Sequence, residues 1–300
     1  MTRASTVVAI PPSYESDGTA EVESTSSYLD FLTSRGIDTV MSTAGTSQFN
    51  LLSYEEIHQF NAAIASSDAK KKILGVPPCS LRDALKFTND ALKYCDSSCR
   101  LMLLFPDRYY DDKTIISYIS SVSDAAGNPV YIHCMPMRKG TGGTWDYTSY
   151  VINDLHSKGV LEGIKEEHTS LKKSYDFVGD LNSDIDVIVA GGSMRRHQFL
   201  KSAGANSFLS GIGNLIPKVE LDYVESVSSL SCIQKNLELE TSLFSVFMKY
   251  GWHPSLRYAL RHLNLTCKAD RQPWPDLSDI AKEEIEAVVG LCTKGALNNG

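Results

Sequence analysis

The stretch that decides the fold is Val160-Leu161-Glu162-Gly163-Ile164-Lys165-Glu166-Glu167, a short and mostly apolar run that ends in a lysine. Its composition predicts a buried strand, and the polar residues after Lys165 mark the end of that strand. A lysine at the carboxyl end of a buried strand lies at the mouth of the sheet. Apolar walls there disfavour the ammonium form, lower the amine pKa and favour a nucleophilic lysine. Alone the pattern is weak, because most lysines that close a strand are solvated.

Short β-rich runs alternate with amphipathic segments on both sides of this strand. The eight predicted strands cover residues 7–10, 37–41, 72–76, 101–105, 129–134, 160–165, 185–190 and 207–211. The predicted helices cover residues 19–34, 53–66, 80–94, 113–125, 145–157, 170–178 and 194–202, with an eighth after Pro217. This alternation predicts parallel strands joined by helices, and eight units suit an α/β fold of the closed (β/α)₈, or TIM barrel, type.

A doubly wound open sheet is the alternative architecture. It is disfavoured because no Gly-x-Gly-x-x-Gly sequence follows any predicted strand. The loop Thr43-Ala44-Gly45-Thr46-Ser47 has a single glycine and does not match a dinucleotide-binding loop.

After about Asp222 the alternation stops, and three helical patterns follow at residues 224–248, 254–263 and 277–291. The sequence therefore predicts two domains, a catalytic barrel at residues 1–222 and a three-helix C-terminal domain at residues 223–300.

Composition limits the class of protein. The 300 residues are 42% hydrophobic, enough for a large core, and the net charge of −7 without a basic run argues against nucleic acid as a partner. Seven scattered cysteines without a pairing framework indicate a reducing compartment. The first apolar run, residues 7–10, is too short for a signal peptide, and no run is long enough for a membrane span. We therefore expect a cytoplasmic protein that does not associate with membranes.

Several stretches occur in an order and spacing that resemble the dihydrodipicolinate synthase and N-acetylneuraminate lyase family of class I aldolases over nearly the whole chain. They are Ala44-Gly45-Thr46-Ser47, Tyr131-Ile132-His133-Cys134-Met135-Pro136-Met137-Arg138, Gly163-Ile164-Lys165, Gly204-Ala205-Asn206-Ser207-Phe208-Leu209-Ser210, Arg257-Tyr258-Ala259-Leu260 and Arg271-Gln272-Pro273. The resemblance implies a barrel with three C-terminal helices, assembled as a homotetramer or homodimer.

The resemblance also implies a mechanism. Lys165 would attack the keto carbon of pyruvate or another 2-oxo acid, and the resulting iminium would let a neighbouring carbon–carbon bond form or break. The second substrate would be of the aldehyde type. No cofactor is implied, and the chain has no cluster of His, Asp and Glu at metal-ligand spacing.

Further positions follow from the same resemblance. Gly45, Thr46 and Ser47 would hold the carboxylate of the 2-oxo acid, Leu209 would contact substrate, and Arg138 would bind a carboxylate on the second substrate. Thr46 and Ser47 are alternatively simple turn residues. Arg138 is alternatively a surface arginine paired with Glu166 or Glu167.

Departures from the family pattern concern the proton-transferring residues. The family's proton-shuttling tyrosine corresponds to His133, which is either a proton shuttle or a core histidine. Free imidazole titrates near ~6.5, so His133 is chemically suited to acid–base work near neutrality. Tyr131 lies deeper on the same strand face, and Tyr109 and Tyr110 stand near the family's dimer-crossing tyrosine, so all three are possible relays.

The leading hypothesis is a Schiff-base lyase or aldolase that forms or cleaves a carbon–carbon bond next to the imine of a 2-oxo acid. The altered loop and the missing tyrosine motivate an alternative, a catalytically impaired barrel that serves as a ligand-binding or regulatory protein. A sugar-acid dehydratase of the same family is the other alternative.

Overall fold

The computed structural model describes residues 4–226 and 230–297. Its strands are β1 (Ser5–Ala9), β2 (Ser13–Tyr14), β3 (Ala20–Glu21), β4 (Thr39–Met41), β5 (Lys71–Val76), β6 (Cys99–Leu103), β7 (Val130–Cys134), β8 (Met137–Arg138), β9 (Thr144–Trp145), β10 (Leu161–Glu166), β11 (Asp186–Val189) and β12 (Ser207–Leu209). Its α-helices are α1 (Glu23–Thr33), α2 (Tyr54–Ala65), α3 (Leu81–Ala91), α4 (Asp112–Ala126), α5 (Ser149–Ser157), α6 (Leu171–Gly179), α7 (Ser193–Leu200), α8 (Pro217–Glu225), α9 (Leu230–Tyr250), α10 (Trp252–His262) and α11 (Asp279–Leu297). Single turns of 3₁₀-helix cover Phe49–Leu51 and Ile212–Asn214.

Eight of the strands form a closed parallel barrel in the order β1-β12-β11-β10-β7-β6-β5-β4. Each of the eight predicted strands overlaps one of them, so the predicted (β/α)₈ barrel is confirmed. In the register between β7 and β10, Lys165 is the partner of His133. This pairing places the two residues side by side at the carboxyl ends of their strands, the end where TIM-barrel active sites are found.

The contacts within the chain define two compact units, residues 1–5 with 71–209 and residues 6–70 with 210–300. The first unit contains strands β5 to β12 and helices α3 to α7. The second contains the remaining helices, including α9, α10 and α11 of the expected C-terminal group. The division into domains at residues 1–222 and 223–300 stays a prediction.

Local sequence explains where most barrel helices begin. A side-chain oxygen accepts a hydrogen bond from a backbone N–H in the first turn of five helices, α2 to α6, which satisfies a donor that the helix leaves free. The capping residues are Ser53, Ser80, Asp111, Thr148 and Ser170. At Ser53 the side chain of Glu56 also reaches back to the cap, which completes a capping box.

Two short antiparallel hairpins were not predicted. β2 pairs with β3, so the predicted helix at residues 19–34 is wrong at its start, and α1 begins at Glu23. β8 pairs with β9, so Trp145 belongs to a strand, and α5 begins at Ser149. Strands of two residues are too short to show alternation, and only the glycines between them marked the turns.

The C-terminal helices confirm the helical character predicted after Asp222, with different boundaries. Val224 belongs to α8, and α9 begins at Leu230. Part of the predicted helix at residues 224–248, namely residues 227–229, lies outside the described residues. Among the helices described, none has the length and apolar character needed to cross a membrane.

Gly163 in β10 lies where no side chain fits. A Cβ at this position would overlap the backbone oxygen of Asp186 on β11 and the ring of Tyr131 on β7. The bare backbone therefore lets β10 pack between its two neighbours and bring Lys165 into register with His133.

We expect Gly163→Ala to destabilise the protein by about 1–3 kcal/mol, because an added methyl in a packed core forces the strands apart. Gly179→Ala is the matched control: nothing lies within 4 Å of its Cβ position, and alanine there is neutral or stabilising in a helix. Urea unfolding of both variants measures the difference. Equal stabilities would contradict the packing argument.

Candidate active site

Three side chains meet at the carboxyl ends of β7 and β10, and we call them the lysine cluster: Lys165, His133 and Glu167. The Lys165 amine donates to Glu167 Oε2 at 2.5 Å and lies 2.7 Å from His133 Nε2. Glu167 Oε2 lies 2.6 Å from the same His133 nitrogen. The side chains of Lys165 and His133 are 3% and 5% exposed, whereas that of Glu167 is 41% exposed.

The hydrogen bonds of the lysine cluster cannot all form at once. Nε2 of a histidine either donates or accepts, so His133 binds either the carboxylate of Glu167 as a donor or the amine of Lys165 as an acceptor. Its other nitrogen, Nδ1, is buried and has no hydrogen-bond partner among the described residues. The lysine cluster therefore has two alternative hydrogen-bond arrangements, which differ in whether His133 Nε2 carries a proton.

Burial sets the protonation of the cluster. It lowers the pKa of Lys165, and Glu167 and Glu166 only partly oppose this, with Arg196 acting in the same direction as burial. Burial and the charge of Lys165 lower the pKa of His133 to about 4, although the hydrogen bond and the charge of Glu167 act to raise it. His133 is therefore neutral at neutral pH, and its ionisation lies below the near-neutral range expected for a free imidazole.

Glu167 remains ionised in this setting. Burial raises the pKa of its carboxyl group, but the nearby charge of Lys165 and the contact with His133 outweigh burial and lower it. The free protein thus presents a carboxylate, a neutral imidazole and an amine whose ammonium form is disfavoured by burial.

Glu166 anchors the backbone beside the cluster. Its side chain is fully buried and accepts bonds from Arg196 Nη2 at 3.0 Å to each oxygen, from Ser174 Oγ at 2.7 Å and from the backbone N–H of His168 at 2.9 Å. Arg196 Nη2 also donates to the backbone oxygen of His168 at 2.8 Å. This buried ion pair fixes the chain on the C-terminal side of Lys165.

A cavity of about 320 Å³ adjoins His133. Its wall combines apolar residues with the polar or charged residues Asp107, Arg108, Arg138 and Tyr147. Arg138 is exposed and forms no ion pair with any residue that the structure describes. Glu166 and Glu167 are paired elsewhere, so the alternative of a surface arginine paired with either glutamate is not supported.

The hydroxyl of Tyr131 forms its hydrogen bonds away from the Lys165 amine. That hydroxyl donates to Asp186 Oδ2 at 2.5 Å and lies 3.2 Å from Glu162, with the Lys71 amine also in contact. These partners belong to the first residues of their strands, at the amino end of the barrel. The suggested relay through Tyr131 therefore has no supporting contact.

The loop at Gly45, Thr46 and Ser47 is a compact turn in the second unit. The Ser47 hydroxyl accepts from the backbone N–H of Thr43 at 3.0 Å and donates to the backbone oxygen of Ile10 at 2.6 Å, so it serves the turn itself. The Thr46 hydroxyl has no hydrogen bond to the described part of the protein, which leaves it available. Leu209 is the last residue of β12.

Tyr109 and Tyr110 differ in their surroundings. The ring of Tyr109 stacks on Trp145 with centroids 4.3 Å apart, and the backbone N–H of Tyr109 donates to the backbone oxygen of Arg138 at 2.7 Å. Tyr110 is 62% exposed and packs beside Gly140. Tyr110 is therefore the better placed of the two to reach a neighbouring molecule.

Sequence reasoning missed three residues of this region: Glu167, Arg108 and Tyr147. The position of Glu167, two residues after Lys165 along an extended segment, was a usable signal, since alternate residues share a face. Arg108 and Tyr147 lie in connecting segments whose course no periodicity predicts.

Within residues 4–226 and 230–297, no group of three or more His, Cys, Asp or Glu side chains is placed to hold a metal ion.

Comparisons with known proteins agree with the fold. The sequence pattern of the dihydrodipicolinate synthetase family matches residues 3–291, and the chain belongs to this family. It is 22% identical to a 4-hydroxy-tetrahydrodipicolinate synthase of Alkalilimnicola ehrlichii over 296 residues, covering 95% of this chain and 97% of that protein.

Solved structures share this fold at low sequence identity. The 4-hydroxy-tetrahydrodipicolinate synthase of Methylacidiphilum fumariolicum SolV superposes with a TM-score of 0.83 at 19% identity, over 98% of this chain and 97% of that one. YagE, a prophage protein of E. coli K12 from the dihydrodipicolinic acid synthase family solved in complex with pyruvate, gives a TM-score of 0.83 at 14% identity, over 97% of this chain and 98% of that one.

The charge of Lys165 is one cause of the low pKa of His133. We therefore expect Lys165→Met to raise the pKa of His133 above its value of about 4 by roughly one unit, because removing a like charge favours the imidazolium form. Histidine titration by NMR measures the shift. His197 is the internal control. Its pKa is also lowered to about 4, but by burial and then by Lys201 rather than by Lys165. A shift at both histidines, or at neither, would contradict this account.

Proposed function

We propose that the chain is a class I lyase or aldolase that forms an imine between Lys165 and pyruvate or a related 2-oxo acid. The observation that carries this proposal is the lysine cluster: a fully buried amine between a carboxylate and a neutral imidazole, beside a cavity at the carboxyl ends of barrel strands. Membership of the dihydrodipicolinate synthetase family and the likeness to the pyruvate complex of YagE support it.

Lys165 supplies the covalent step. A nucleophilic amine must be neutral, and burial lowers the pKa of Lys165 in that direction. The iminium that forms with a 2-oxo acid withdraws electrons from the neighbouring carbon. A carbon–carbon bond at that carbon then forms or breaks through an enamine, and no metal or cofactor takes part in the proposed reaction.

The 2-oxo acid is held by its carboxylate in this proposal. Thr46 contributes its available hydroxyl, Gly45 and Thr46 contribute backbone N–H groups, and Leu209 contributes apolar contact. Ser47 shapes the loop through its bonds within the turn. A small-residue loop suits this role because its amides approach an anion closely.

The second substrate is an aldehyde-type compound with an acidic group. The cavity beside His133 is large enough for a small molecule, and Arg138 lies in its wall with no ion-pair partner among the described residues. A guanidinium forms bidentate, charge-assisted bonds with a carboxylate. His133 lies in the same wall and is placed to move protons between the imine and this substrate.

Assembly belongs to the same proposal. A cytoplasmic homotetramer or homodimer would bring an exposed tyrosine of one protomer to the site of another, and Tyr110 is the residue whose exposure fits. Tyr109 instead holds the β8–β9 hairpin through its stack on Trp145.

Trapping tests the imine directly. With pyruvate and borohydride we expect one reduced adduct per chain, located at Lys165 by intact mass and peptide mapping. Lys165→Ala should form none, and Lys71→Ala is the matched control because Lys71 lies at the amino end of the same barrel. If a panel of 2-oxo acids gives no adduct, the proposed reaction is wrong and the ligand-binding alternative takes its place.

Arg138→Met should raise the KM for an acidic aldehyde about 10- to 100-fold, with little change in the KM for pyruvate. The reason is the loss of charge-assisted hydrogen bonds to one substrate only. The methyl ester of the same aldehyde should not distinguish the variant from the wild type. Lys139→Met, at the neighbouring position, is the control. Equal effects on both substrates would count against carboxylate recognition by Arg138.

A further inference from the structure

We propose that Glu167 is a catalytic residue that carries a proton from the Lys165 ammonium group to the hydroxyl group that leaves when the imine forms. The proposal rests on the function proposed above for Lys165. It adds a residue that neither the sequence motifs nor the comparisons assign.

The position of Glu167 meets the geometric requirement for this role. Its Oε2 is the acceptor nearest to the Lys165 amine, at 2.5 Å, and also contacts His133 Nε2 at 2.6 Å. Its Oε1 accepts no hydrogen bond from any residue in the described ranges. One oxygen therefore faces the nucleophile, and the other is available to a substrate.

Glu166, the preceding residue, shows what a purely structural carboxylate looks like in this protein. Both of its oxygens are occupied by Arg196, Ser174 and His168, and its side chain is 0% exposed. Glu167 differs in each respect, with one unoccupied oxygen and a side chain that is 41% exposed. Its exposure allows it to exchange protons with solvent or substrate, which the buried His133 does less readily.

The first proton transfer frees the nucleophile. As an ion pair with Glu167, Lys165 is an ammonium group and cannot attack a carbonyl. Transfer of one proton from Nζ to Oε2 gives a neutral amine and a carboxylic acid. Burial of Lys165 favours the neutral amine, whereas the lowered pKa of Glu167 makes its acid a minor form that the following steps consume. The amine then adds to the keto carbon.

The second transfer expels water. In the carbinolamine, one proton moves from nitrogen to the former carbonyl oxygen, and the neutral His133 imidazole is placed to pass it. The acid form of Glu167 then protonates the resulting hydroxyl group. The carbon–oxygen bond breaks, water leaves, and the carbon–nitrogen double bond forms as an iminium ion.

All atoms and charges balance in this sequence. An ammonium group and a ketone give an iminium ion and water, with no proton taken from outside. Glu167 ends as the carboxylate from which it started, and its negative charge then pairs with the iminium as it paired with the ammonium group. The same residue thus acts as base, acid and counter-ion.

The experiment measures the rate of imine formation in Glu167→Gln with pyruvate and cyanoborohydride, followed by intact mass over time. We expect the variant to form the same Lys165 adduct about 10²- to 10⁴-fold more slowly, the range for loss of a general acid–base group. Glu167→Asp, which keeps the carboxylate, should recover part of the rate. Glu283→Gln, the same substitution on the exposed face of α11, should match the wild type.

The pH profile separates catalysis from support of the fold. Glu167 raises the pKa of Lys165 against burial, while His133, Glu166 and Arg196 also face the amine and stay in place. Removal of the Glu167 charge should therefore move the amine ionisation in the rate profile to lower pH by about one unit or more. A variant with merely looser packing would lose rate without this shift.

Each outcome decides between the proposals. An unchanged rate and profile in Glu167→Gln would overturn the role of Glu167 while leaving the Lys165 imine intact. Absence of an adduct in the wild type would instead refute the imine, whatever the variant does. If thermal unfolding shows that Glu167→Gln does not fold, Glu167→Asp decides: the proposal requires a slower rate with the amine ionisation retained, and a wild-type rate would overturn it.

Discussion

The burial of a single amine governs the architecture around it. Lys165 is 3% exposed in the interior of the barrel, where an unpaired charge would be strongly destabilising. Glu167 supplies the counter-charge, and His133 supplies a neutral neighbour whose Nε2 either donates to Glu167 or accepts from Lys165. The three groups lie within 2.7 Å of one another because β7 and β10 are paired with His133 and Lys165 in register. A shift of this register by one residue would turn every side chain of the strand to the opposite face.

The surrounding packing maintains that register. Gly163 leaves room for Tyr131 and for the backbone of β11, and the buried pair of Glu166 with Arg196 holds the chain where the strand ends. One short segment therefore carries both structural and chemical roles. Gly163 and Glu166 fix the backbone, while Lys165 and Glu167 present their side chains to the same region. The shared direction of Lys165 and Glu167 follows from the two-residue period of an extended chain.

The sequence predicts the barrel well because its signal is repeated eight times. Each strand is a run of apolar residues bounded by polar ones, so errors of one or two residues at the ends leave the count and the topology unchanged. The place of Lys165 at the end of its strand follows from the same pattern. Its reaction, and the roles of Gly45, Thr46, Ser47, Arg138 and Leu209, stay predictions.

Other features depend on directions that spacing does not encode. Alternation correctly places Tyr131 on the strand face of His133, yet its hydroxyl bonds to Asp186 and Glu162 at the amino end of the barrel. The strands of two residues are fixed by backbone pairing rather than by hydrophobic pattern.

The shared position of His133 has a consequence for the order of events during turnover. This residue contacts the Lys165 amine and also lines the wall of the cavity that contains Arg138. In the reaction we propose, one imidazole would therefore serve both the imine on Lys165 and a molecule held in the cavity. It would serve them in succession, because Nε2 either carries a proton or accepts one at any moment.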